Sequence, residues 1–218
     1  MNGVFWKNFK AELVKQFAPD DGLPRITLRQ AAPLLIGALV FMLVGYALFF
    51  ASWLMEYPPN DSAWIAEWTE RIDALRMVDR VAVMTGLEPM PMKVVVLYLF
   101  PGAILLTAWG MLWSVRPSIL KTVLLRAELK KIPMWKSILV ALFIPLFALL
   151  AYDVINHDYV GPTLSRRTVL LYASTFASAT QILVFTAVPA LYLAALIPVC
   201  VRILSTSLQL VRRRGQPK

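Results

Sequence analysis

Hydrophobic positions in this chain are gathered into four runs from which charge is excluded. No Asp, Glu, Lys or Arg falls between Leu34 and Met55, Val94 and Val115, Ser137 and Tyr152, or Thr168 and Val201. A hydrocarbon core of about 30 Å takes about 20 apolar residues in a helix. Pro33 to Leu54 and Val94 to Val115 supply 22 each, and Ser137 to Ile155 supplies 19. The pattern predicts an all-α, polytopic integral membrane protein with transmembrane helices over 33–54, 94–115, 137–155 and 168–204. The last run has 37 residues, roughly 55 Å at about 1.5 Å per residue, more than one upright span needs. Its first part, 173–181, is small and mildly polar, and 182–201 is conventionally apolar. A hairpin around Pro189 would carry the arginine-rich tail to the far side. One long, tilted or kinked helix is expected instead.

The segments between the runs are amphipathic rather than featureless. In the N-terminal segment 1–32, Phe5, Phe9, Leu13 and Phe17 recur every four residues, with Lys7, Lys10 and Lys15 on other faces. That predicts an interfacial helix over 4–17, aromatic side toward the bilayer and lysines toward anionic lipid. In the loop 55–93, Trp64, Ile65, Trp68, Ile72, Leu75, Val78 and Ala82 follow spacings of three and four, and predict a helix over 62–85 stopped at Gly86. About 24 residues cannot build a core alone. The apolar face of this helix must lie on the membrane surface, on the spans or on another protein. In the loop 116–136, Pro117 and Ser118 open a third amphipathic helix over 118–132, which Pro133 ends. The remaining segments are a short loop, 156–167, and a tail, 205–218.

Charge then sets the orientation. The chain has 218 residues, is 59% hydrophobic and carries a formal charge of +9. Lys and Arg number 5 before the first span, 4, 6 and 2 in the successive loops, and 5 from Arg202 onward. With both termini cytoplasmic, the inner side holds the excess, as the positive-inside rule requires. Lys7, Lys10, Lys15, Lys121, Arg126, Lys130, Lys131, Arg212, Arg213 and Arg214 are expected to contact an anionic inner leaflet. The basic balance therefore points to a membrane and not to nucleic acid. Short loops and this bias suit a bacterial inner (plasma) membrane. Asn60-Asp61-Ser62 is formally an N-glycosylation sequon, so an endoplasmic-reticulum origin stays open.

Candidate chemistry is sparse. The centre of every span lacks an ionisable side chain, and ion or proton pathways ordinarily carry one. Gln181 is the most polar side chain in a span. It reads either as a substrate-coordinating amide or as a hydrogen bond between helices, the commoner use. Asp153 and His157 stand four residues apart, and a helix would put both on one face. Two ligands do not make a zinc site, and no nucleophile stands beside the pair. The single cysteine, Cys200, excludes an intramolecular disulfide and reads as a small buried apolar residue. HExxH, GxSxG, CxxC and glycine-rich phosphate loops do not occur. No catalytic residue, metal site or cofactor is expected. Ala173/Ala177 and Ser174/Ser178 form small-xxx-small pairs, expected to let helices approach closely. Trp53, Trp109, Trp113 and Trp135 cluster near span ends as an aromatic belt.

Two functional classes fit. The first is a non-catalytic inner-membrane subunit or scaffold of a multiprotein envelope complex, such as a secretion or conjugation apparatus. Its partners would be other membrane subunits or further copies of itself. The alternative is a small transporter or channel component for a neutral or lipid-like substrate, with Gln181 on the path. Fold does not decide between them.

Overall fold

A reciprocal cap starts the first span. In the computed structural model, which describes residues 23–55, 62–156 and 166–214, the Thr27 hydroxyl accepts from the Gln30 backbone N–H at 3.3 Å. The Gln30 side chain in turn accepts from the Thr27 N–H at 2.9 Å. This is a capping box, which satisfies two otherwise orphaned donors. The first helix, α1 (Leu28–Met55), runs from it and includes Pro33 in its first turns.

All described secondary structure is helical, and four helices or helix pairs are long and apolar enough to cross a membrane. The chain is a multi-pass membrane protein. The spans are α1, α4 (Met90–Ser114), α6 (Met134–Asn156) and a fourth unit over Phe176–Leu208. The fourth unit is made of α8 (Phe176–Ala194) and the first part of α9 (Leu196–Arg214). Helices α1, α4 and α8 pack on one another, while α6 leans on α8 and α9. The Trp109 and Trp113 indoles of α4 donate to the backbone carbonyls of Pro33 and Gln30 in α1, at 2.8 and 2.7 Å. These two belt tryptophans therefore fasten helix to helix, a use open to any aromatic with a polar handle.

The long helix expected over 168–204 is not continuous. Helix α7 (Arg166–Tyr172) ends, Ala173 to Thr175 are non-helical, and α8 begins at Phe176. Thr175 is extended (φ −124°, ψ 154°), and its side chain accepts from the Ser178 N–H at 3.2 Å. Ser and Thr compete with helix for backbone donors and favour caps. The small, mildly polar stretch is thus a helix start. A second interruption falls at Ala195. Pro198 has no N–H to give to the carbonyl of Ala194, and its ring crowds that carbonyl.

Two elements close one end of the bundle. The helix expected over 62–85 is split at Ile72 (φ −116°, ψ 112°) into α2 (Ala63–Arg71) and α3 (Asp73–Thr85). Asp73 in the first turn of α3 and Arg71 in the last turn of α2 each suit the local helix dipole. Leu75, Met77, Val78 and Val81 of α3 are buried against α4 and α7, joining the main core. The apolar face therefore lies on the spans, one of the three placements open from sequence. Gly86 (φ 68°) ends α3, its N–H bonding the Ala82 carbonyl, because a left-handed stop favours glycine. Trp64 and Trp68 of α2 stay exposed, with Arg71 5.9 Å over the Trp68 ring.

The opposite end carries α5 (Pro117–Leu129), close to the helix expected over 118–132. Lys131 (φ 48°) closes it, and the Ile132 N–H reaches back to the Ala127 carbonyl at 3.1 Å. Arg202, the first charge after the fourth apolar run, donates from α9 to the Ser137 hydroxyl and the Ile132 carbonyl. That double contact pins α9 to the α5–α6 corner.

Candidate functional site

The side chains singled out in the sequence do not converge. Gln181 is exposed on the surface of α8, and its amide meets no hydrogen-bond partner among the described residues. It shares an outward stripe with Ala177, Val184 and Val188, at helical spacings of three and four. Asp153 is half-buried near the end of α6 and has an interaction partner. His157 lies outside the described residues, as do Lys7, Lys10 and Lys15. Among the described residues no three His, Cys, Asp or Glu side chains are grouped to hold a metal. Cys200 is exposed, not buried as expected. It sits on α9, two residues beyond the buried Pro198.

The small-xxx-small register expected around 173–178 does not form. Ala173 and Ser174 fall in the break before α8, Ala177 faces outward, and Ser178 is buried in the cap with Thr175. A shared face needs a continuous helix, which Thr175 interrupts. Of the basic residues assigned to the inner leaflet, Lys121, Lys130 and Lys131 are exposed and Arg126 is half-buried on or beside α5. Arg212, Arg213 and Arg214 continue the backbone of α9, and their side chains lie outside the described part.

What the sequence did not disclose is a cleft of about 510 Å³ between α4 and α6, floored by α8. Helices α4 and α6 do not pack along their lengths. The walls facing each other across the gap carry alanines, Ala103 on one side and Ala148 and Ala151 on the other. Small side chains on both walls leave space that larger ones would fill. Phe100 and Tyr152 bridge the gap edge-to-face at 6.0 Å, and Ala74 of α3 roofs the same end. Pro145 and Pro189 line the cleft from α6 and α8. Its side is open: Ile104 is 69% exposed, Leu149 66% and Phe185 51%.

The lining is almost wholly apolar. Thr107, Thr186 and Tyr152 bring its hydroxyls, and Thr186 already donates to the Ile182 carbonyl at 2.8 Å. The open side faces where hydrocarbon lies in a membrane, and the apolar lining offers water almost no hydrogen bond. Clefts of this volume and lining between bundle helices are ordinary small-ligand sites. A search against protein families, curated proteins and solved structures finds no match to this chain.

Proposed function

We propose that this multi-pass membrane protein is a non-catalytic subunit of a larger envelope complex in a bacterial inner membrane, with both termini cytoplasmic. A secretion or conjugation apparatus is the kind of assembly meant. The observation that carries this reading is Gln181. Its amide faces out of the bundle about 8 Å along α8. Hydrocarbon offers no hydrogen bond there, and leaving an amide unpaired in an apolar medium costs several kcal/mol. A partner helix removes that cost. Side-chain hydrogen bonds between spans contribute about 0.6–2 kcal/mol, and small residues beside them allow close approach. Ala177, one turn from Gln181 on the same stripe, supplies that small neighbour. The excess of Lys and Arg on the α5 and tail side supports the orientation.

Replacing Gln181 by Leu should release the chain from its assembly while leaving the chain itself folded, since leucine is at ease in lipid. Extraction of tagged wild type and variant from native membrane, followed by mass determination and partner identification, measures this. A large complex for wild type and a lone chain for the variant is the expected result. A strictly monomeric wild type, or an unchanged complex in the variant, would sink the reading.

The cleft favours a second reading, passage of a neutral or lipid-like substrate. The path residues would then be Thr107 and Thr186 and not Gln181, which lies outside the cleft. Flux in reconstituted liposomes no greater than in empty vesicles would remove it.

A further inference from the structure

We propose that the cleft between α4 and α6 is a lateral binding site for the acyl chain of a membrane lipid. Along α4 the cleft runs from Val96 to Thr107, about 16 Å at about 1.5 Å per residue. Spread over that length, about 510 Å³ leaves a mean cross-section of about 30 Å². A helix with its side chains is about 10–12 Å across, wider than the gap that the Phe100 and Tyr152 rings bridge at 6.0 Å, so a partner span does not enter at that end. An extended hydrocarbon chain whose neighbours sit at about 4 Å takes roughly 16 Å², and one chain fits with room for a bend.

The position agrees with the shape. The opening between Ile104 and Leu149 faces sideways into the membrane. The end toward α3 is closed by Ala74 and by the Phe100–Tyr152 pair. Entry is therefore from the bilayer and not from water, and the headgroup remains outside the cleft. The walls hold no charge, so recognition is of the chain. The site stands apart from the subunit reading. Gln181 lies one turn from Phe185 at the rim but outside the lining, and loss of assembly in the Gln181→Leu variant would leave the cleft untouched.

The test uses the full chain in nanodiscs of phosphatidylethanolamine and phosphatidylglycerol. The probe is a phosphatidylglycerol with a diazirine near the end of one acyl chain. After illumination, adducts are mapped by mass spectrometry. Adducts on Ala103, Ile104, Ala148 and Leu149 should exceed those on Leu35, Leu39 and Leu43, the exposed face of α1. The expected excess is about tenfold, which a preference of about 1.4 kcal/mol gives. Filling the cleft with Ala103→Phe or Ala148→Phe should abolish it. Equal labelling of both faces means bulk lipid only and overturns the site. So does cleft labelling that survives in both folded Phe variants. Displacement of the probe by a polyprenyl phosphate, but not by excess unlabelled phospholipid, overturns the acyl assignment. If neither Phe variant folds, the wild-type labelling ratio and the competition with unlabelled phospholipid still decide.

Discussion

Gly110→Ala is expected to destabilise the folded protein by about 1–3 kcal/mol, the usual range for overpacking. A Cβ at Gly110 would stand 2.6 Å from the Cβ of Ala194, where α4 crosses α8. That neighbour is fixed to its own backbone and cannot swing away, so the two helices must separate. In a bilayer, close packing is most of what holds spans together, because lipid is as apolar as the side chains. Gly45 makes an informative contrast. A Cβ there would meet the far end of Leu183 at 2.5 Å, and a rotamer change in Leu183 relieves it, so Gly45→Ala should cost less. Adding Ala194→Gly to Gly110→Ala should recover part of the loss, less about 1 kcal/mol for a new glycine in a helix. Thermal unfolding in a mild detergent measures all four chains. Gly110→Ala melting with wild type would mean the crossing is looser than the geometry shows.

Asp79→Ala is expected to be the second large effect, and an asymmetric one. Lys93, at the start of α4, is only 8% exposed, and its ammonium pairs with the Asp79 carboxylate of α3 at 2.7 Å. Removing Asp79 strands a nearly buried cation, a loss of about 1–3 kcal/mol. Lys93→Met should cost less, because the Asp79 side chain is 41% exposed and can turn to water. The double variant should return most of the stability, since replacing both partners of a buried pair is often close to neutral. The loss should loosen the cap, so faster hydrogen exchange over α3 with α8 unchanged is the local signature. Equal losses for the two single variants, summing in the double, would show that the pair is not coupled.

Both effects arise in contacts that the linear pattern shows only in part. The periodicity of 62–85 named Ile65, Leu75 and Val78, and all three are buried. It also named Trp64 and Trp68, which are exposed. The extended residue Ile72 splits the helix, so one continuous stripe does not describe both halves. Similarly, the small residues of 173–178 read as a packing stripe but serve to start α8. The close approach lies at Gly110 and Ala194 instead. Neither residue stands out in the sequence, because a glycine within a long apolar run does not say which helix comes near it.

The sequence by itself determined that this is an all-α, multi-pass membrane protein with four spanning units, and where its basic segments fall. Those properties are sums over single residues. Each side chain has its own cost or gain on entering hydrocarbon, and a window of about 20 such terms decides a span. The tertiary structure alone decided which faces meet, that α4 and α6 stand apart, and that α3 lies on the bundle rather than on the bilayer. Between apolar spans in lipid, hydrophobicity does not distinguish one neighbour from another. Shape does, through close approaches such as Gly110 against Ala194, and shape is a property of residues far apart in the chain. The cleft is the plainest case. Ala103, Ala148 and Ala151 are unremarkable alanines until two helices place them opposite each other.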